Sequence, residues 1–171
     1  MKKCLVVIDM QNDFIYGSLG SEEAKKIVLP VKERIEKAVV NGEDVFFTKD
    51  THYENYLDTR EGKFLPVKHC IEGTNGHEIN KELKQYEGKA KNIFIKNTFG
   101  YKDLPNYLSE YDEITFIGLC TDICVVSNVI LTKAFFPEKM IKVEKDLCAG
   151  TTVENHQNAI SVMKSCHIEI I

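Results

Sequence analysis

Cys124 lies four residues after Cys120 in the run Gly118-Leu119-Cys120-Thr121-Asp122-Ile123-Cys124-Val125, where a strand-like segment gives way to a helical one. A thiol in the first turn of a helix faces unpaired backbone N–H groups and the positive end of the dipole, and both favour the thiolate. Two other residues offer complementary chemistry. Asp9 closes the apolar run Leu5-Val6-Val7-Ile8, where a carboxylate is partly desolvated and must be paired or used. Lys96 closes Asn92-Ile93-Phe94-Ile95, and an ammonium there would support an adjacent thiolate. If these strands are parallel, a nucleophile, an acid/base group and a cation converge on one edge of a sheet.

A second group is Asp50-Thr51-His52 followed by Glu61 and His69. It supplies mixed oxygen and nitrogen donors suited to zinc, iron or manganese, although the spacing is loose and loop histidines are more often solvated than metal-bound. Cys120 and Cys124, at i, i+4 spacing, could form half of a thiolate metal site, but no Cys-x-x-Cys partner exists elsewhere to complete it. Cys70, Cys148 and Cys166 read as packing or loop residues, and His77, His156 and His167 have no evident partner. Gln11 stands where a haloacid-dehalogenase-type phosphatase needs a second aspartate, and the first strand is not followed by Gly-x-Gly-x-x-Gly.

The elements that must position these groups follow from periodicity. Six segments rich in β-branched or aromatic residues read as strands: Cys4–Asp9, Asp44–Thr48, Asn92–Lys96, Glu113–Gly118, Met140–Glu144 and Ile168–Ile171. Ser21–Asn41 has apolar residues near the 3.6 period, with Gly42 as a stop and Pro30 as a predicted break or kink. Further helices are expected near His77–Tyr86, near Asp103–Glu110, and from a Thr121 or Asp122 cap to about Phe136. The capping-box run Thr151-Thr152-Val153-Glu154 predicts another, to about Ser165. Alternating strands and helices predict an α/β three-layer sandwich, a six-stranded, mostly parallel sheet with helices on both faces. Residues 1–171 are expected to form one domain. Ligands bind such sheets at the carboxyl ends of the strands, and the long irregular stretch from Asp50 to Gly76 is expected to build the site.

With a net charge of −4, the chain is not expected to bind nucleic acid or an anionic membrane. The basic-then-apolar N-terminus is cut short by Asp9 and lacks a small-residue cleavage site, which favours a strand over a signal peptide. The longest apolar stretch, Ile123 to Phe136, is interrupted by polar residues and too short to span a bilayer. A cytoplasmic protein with six reduced cysteines is therefore predicted. The near-continuous apolar face of Ile123–Phe136 predicts a homo-oligomer.

Five segments together, in this order, resemble the isochorismatase-like cysteine hydrolase superfamily, and within it the nicotinamidases. They are Asp9-Met10-Gln11-Asn12-Asp13-Phe14, Asp50-Thr51-His52, the run Pro66 to Gly76, Lys96-Asn97-Thr98-Phe99 and Gly118 to Val125. The resemblance implies a catalytic triad of Asp9, Lys96 and Cys124, and a metal, zinc before iron or manganese, held by Asp50, His52 and His69. Glu61 stands where some nicotinamidases have a variable fourth ligand. It implies a cis peptide bond between Leu119 and Cys120 and an oxyanion hole made by the N–H groups of Cys120 and Cys124. The implied reaction is hydrolysis of nicotinamide to nicotinate and ammonia through a thioester. Another small amide or an N-carbamoyl compound is the alternative; a vinyl ether hydrolase or a silent binding subunit is further off. Phe14, Phe64, Leu65 and Phe99 are the expected pocket walls. The resemblance puts an aromatic residue shortly before His69, where this chain offers only Phe64 and Leu65 and an apparent extra residue.

Overall fold

The apolar runs pair in parallel, because every strand is followed by a crossover that returns the chain to the same end of the sheet. The computed structural model describes residues 1–171 and has six strands: β1 (Lys3–Ile8), β2 (Asp44–Asp50), β3 (Asn92–Lys96), β4 (Glu113–Leu119), β5 (Met140–Ala149) and β6 (Glu169–Ile170). Their order is β3-β2-β1-β4-β5-β6, and every neighbouring pair is parallel. The winding direction reverses between β1 and β4, and a crevice opens at such a point at the carboxyl ends of the strands.

Side chains alternate between two buried faces. Leu5 and Val7 of β1 and Phe47 of β2 pack against Ile27, Val31 and Ile35 of helix α2 (Glu22–Val40), which follows the four-residue helix α1 (Asn12–Ile15). Cys4, Val6 and Ile8 point the other way. They share their core with Leu104 of α4 (Leu104–Leu108), Val129 of α5 (Val126–Phe135) and Met163 of α6 (Val153–Ser165); α3 (Arg60–Phe64) lies in the long connection after β2. The three-layer α/β sandwich expected from the sequence is the observed fold. No helix is long and apolar enough to cross a membrane.

Several local expectations fail for identifiable reasons. Helix α2 runs through Pro30, which is exposed, so water can satisfy the carbonyl that loses its N–H partner. The helix expected near His77–Tyr86 is replaced by two short 3₁₀ turns, Asn75–His77 and Lys84–Lys89. The backbone between them is spent on tertiary pairing: Asn80 N–H donates to Met10 O, and Asn12 N–H to Glu78 O. Strand β5 continues five residues past Glu144, through charged Lys145 and Asp146, because a register shift lets Cys148 and Ala149 pair with Gly118 and Leu119. Helix α6 is capped by Thr152, whose hydroxyl accepts from Asn155 N–H, one residue later than the capping box predicted. Thr121 and Asp122 cap nothing: residues Thr121–Val125 form a single π turn ahead of α5.

Gly118 is the tightest point between the two central strands. Its φ is +118°, and a Cβ there would lie 2.1 Å from the Ile8 carbonyl oxygen. Gly118→Ala is expected to lower the unfolding free energy by about 2–3 kcal/mol in urea titration; an unchanged midpoint would contradict this packing.

Candidate active site and metal cluster

The carboxyl ends of four strands supply the site. Asp9 follows β1 directly, Asp50 and Lys96 are the last residues of β2 and β3 and face each other in register, and the chain leaving β4 carries Cys120 and Cys124. The strands bearing Asp9 and Lys96 are not adjacent. β2 lies between them, so Lys96 reaches Asp9 past Asp50.

Lys96 is 2% exposed, far from the solvated lysine its side chain would otherwise favour. Its Nζ lies 2.6 Å from Asp9 Oδ2 and 3.2 Å from Asp50 Oδ1, and donates to Thr98 O at 3.1 Å and to Cys124 Sγ at 3.4 Å. Burial alone would push this lysine down. The carboxylates of Asp9 and Asp50 outweigh it and hold Lys96 well above its usual value. Asp9 adopts φ 46° and is completely buried; Thr48 Oγ1 donates to its Oδ1 at 2.6 Å. Its Oδ2 has no hydrogen bond of good geometry, only the close ammonium. Burial raises the Asp9 carboxyl more than Lys96 lowers it, which makes it a stronger base than a solvated aspartate.

Cys124 departs from the expectation of a thiolate at a helix start. It sits in the π turn rather than the first α-helical turn, and is 4% exposed. Burial pushes its thiol well above the ordinary value; Lys96 opposes this, but Asp9 and Asp50 reinforce it. Burial thus favours thiol over thiolate here, so that a neighbouring base has a proton to take. The Leu119–Cys120 peptide is cis, and the Cys120 N–H finds no acceptor within the fold. The Cys120 thiol is pushed up to about 12 by burial, so it offers no second thiolate.

Asp50 joins this group to the second one. Its Oδ2 lies 3.0 Å from His52 Nε2 and 3.6 Å from His69 Nε2, while Glu61 Oε1 lies 3.5 Å and 3.7 Å from the same two nitrogens. One ligand atom from each of Asp50, His52, Glu61 and His69 falls within 4.8 Å of all the others. His69 Nδ1 is 2.8 Å from Val67 O; a proton there leaves the Nε2 lone pair facing the cluster. Burial pushes Asp50 up, but the hydrogen bond with His52, the nearby His69 ring and the charge of Lys96 more than reverse it, holding the carboxyl well below its usual range. Three carboxylates (Asp9, Asp50, Glu61) against one ammonium leave two negative charges when the imidazoles are neutral, which one divalent cation would balance. Donor set, spacing and charge all fit a divalent metal ion.

A cavity of about 300 Å³ opens over both groups. Phe14, Leu65 and Phe99 line it as expected; Phe64 does not, because it is 77% exposed and its ring lies under Arg60. Leu19, Leu119 and Ile123 complete the apolar walls, and Phe14 stands 5.6 Å from the His69 ring. Sequence reasoning passed over three supporting residues. Gln11 brackets Asp50, accepting from its N–H at 2.7 Å and donating to its carbonyl at 2.8 Å. Asp13 accepts from Cys70 N–H at 2.7 Å, where Cys70 turns at φ 47° next to His69. Thr48 holds Asp9. The first two belong to the Asp9–Phe14 run already singled out, whereas Thr48 carried no signal beyond β propensity.

An isochorismatase domain model matches residues 3–171, and the chain belongs to that family. The nicotinamidase/pyrazinamidase PncA of Bacillus subtilis superimposes with a TM-score of 0.87 at 30% identity, covering 99% of both chains. The pyrazinamidase of Pyrococcus horikoshii in complex with zinc gives 0.82 at 26% identity, over 100% of this chain and 99% of that one. The N-carbamoylsarcosine amidase of Thermoplasma acidophilum gives 0.80 at 28% identity, over 99% and 95%.

Removing one donor should cost more metal affinity than the roughly 10–100-fold lost with a supporting hydrogen bond. His69→Ala and Glu61→Gln, dialysed against zinc and assayed by elemental analysis, are therefore expected to retain far less metal than wild type. Equal stoichiometry in both variants at limiting zinc would count against the cluster.

Proposed function

We propose that this chain hydrolyses nicotinamide to nicotinate and ammonia by way of a thioester on Cys124. It is a hydrolase acting on a non-peptide C–N bond. The observation that carries the reading is the Lys96 ammonium, in contact at once with Asp9, Asp50 and the Cys124 sulfur. Asp9, its proton affinity raised by burial, takes the thiol proton, and Lys96 stabilises the thiolate so formed. The sulfur attacks the amide carbon, and the N–H groups of Cys120 and Cys124 receive the charge that develops on the oxygen. Asp9 returns its proton to the nitrogen as ammonia leaves. Water, deprotonated by Asp9, then cleaves the thioester and restores the thiol. Asp50, His52, Glu61 and His69 would hold a divalent metal ion, zinc by analogy with the pyrazinamidase complex, which supplies a Lewis-acid anchor for a ring nitrogen. Phe14, Leu65 and Phe99 would flank the ring.

The lining also speaks to substrate class. No lysine or arginine lines the cavity, and its charged walls, Asp50 and Glu61, are anionic. A neutral aromatic amide suits the apolar walls of Phe14, Leu65 and Phe99, whereas the carboxylate of an N-carbamoyl amino acid would meet no cationic side chain and would have to compete for the metal ion. The N-carbamoyl reading keeps support from the similarity to N-carbamoylsarcosine amidase. We also infer a cytoplasmic setting, in keeping with six free cysteines. A homo-oligomer has support from α5, where Phe135 is 54% exposed beyond the half-buried Val126 and Ile130. A single monomeric mass in light scattering would overturn it.

Incubation with nicotinamide is expected to release ammonia, without the carbon dioxide that a carbamoyl substrate adds. Cys124→Ala should lower kcat by about four orders of magnitude or more, and Asp9→Asn by about 10²–10⁴. Undiminished turnover by Cys124→Ala would refute the thioester route.

A further inference from the structure

We propose that Asn128 is a positioning residue that sets the sulfur–ammonium geometry by clamping the Cys124 turn to the loop after β3; this rests on the reading of Cys124 as nucleophile. Asn128 is completely buried in the first turns of α5, yet its side chain bonds outside its own helix. Its Nδ2 donates to Cys124 O at 2.7 Å and to Phe99 O at 3.2 Å, and its Oδ1 accepts from Tyr101 N–H at 2.9 Å. One planar amide thus holds two segments that meet nowhere in sequence.

Both segments need such a clamp. Residues 97–101 belong to no helix or strand, so their backbone polar groups depend on individual partners. This loop brings Thr98 O to the Lys96 ammonium at 3.1 Å and puts Phe99 on the cavity wall. On the other side, Cys124 lies in a single π turn, closed by a bond from Val125 N–H to Cys120 O. Asn128 grips the carbonyl of Cys124 itself. Lys96 is therefore fixed from one side of the clamp and the sulfur from the other, at 3.4 Å. Only an amide of this length supplies donors for both carbonyls and an acceptor for the Tyr101 N–H; an aspartate would turn a lone pair on the carbonyls, and a leucine would leave all three groups unpaired. Displacement of reacting groups by about 1 Å costs on the order of 100-fold in rate.

Asn128→Leu is compared with Thr132→Val. Thr132 is completely buried in the same helix and its hydroxyl donates to Asn128 O, with no hydrogen bond to either segment. Alkylation of Cys124 by iodoacetamide, followed by peptide mass spectrometry, is read beside kcat and KM for nicotinamide and far-UV circular dichroism. Asn128→Leu should remain folded, with alkylation and kcat each slowed about 100-fold and KM moved far less. Thr132→Val should stay within about threefold of wild type in all three. Wild-type rates in folded Asn128→Leu, an effect confined to KM, or an equal loss in Thr132→Val would each overturn the proposal. If Asn128→Leu does not fold, Asn128→Ser replaces it with an expected loss of about tenfold, and wild-type rates there overturn it equally. Failure of wild type to release ammonia would sink the amidase reading alone, because the labelling comparison does not depend on any substrate.

Discussion

A lysine ammonium shut away from water at the carboxyl edge of a parallel sheet governs how everything around it is arranged. An isolated buried charge costs several kcal/mol, so the fold must supply Lys96 with counter-charges and acceptors that cannot drift away. Asp9 and Asp50 do so from β1 and β2, while Thr98 O and the Cys124 sulfur close the remaining directions. Each partner is itself restrained: Asp9 by Thr48, Asp50 by Gln11, and Cys124 by Asn128. The result is a rigid shell, not a set of independent contacts, which is what preorganised charge stabilisation requires.

Asp50 makes this shell continuous with the candidate metal-ligand group, because one of its oxygens faces Lys96 and the other faces His52 and His69. The excess negative charge of the combined group explains how a cation can be held beside a buried lysine without driving it out. It also adds to the upward push on the Cys124 thiol: burial is the main cause, and the sulfur sees two carboxylates as well as the ammonium. On the reading proposed above, reactivity depends on proton transfer from this thiol to Asp9 at the moment of attack.

The topology explains why these groups meet. Reversal of winding between β1 and β4 leaves a crevice above the two most central strands, and the loops after β1, β2, β3 and β4 all empty into it. The apolar cavity walls come from the same loops and from the start of α2. The buried polar groups and the apolar cavity therefore share supports, and Gly118 lets β4 approach β1 closely enough for both.

Much of this was legible in the chain as written. Alternation of β-branched runs with 3.6-period segments fixes the layered α/β class, since each pattern has one buried face to satisfy. Asp9 and Lys96 stand out because each puts a charge at the end of an apolar strand, and Cys124 because it follows one at the start of a helical segment. The loose Asp50, His52, Glu61 and His69 spacing said little until folding brought donors up to 19 residues apart within 4.8 Å. Tertiary structure alone decided the protonation of Cys124, because burial outweighs the single nearby cation, and the exclusion of Phe64 from the cavity, because α3 turns its ring outward. It likewise decided the course of residues 78–83, whose backbone pairs with residues 10–12 in preference to a helix. Sequence reports the chemistry a residue is capable of; its pKa and its direction depend on neighbours that only the completed fold brings near.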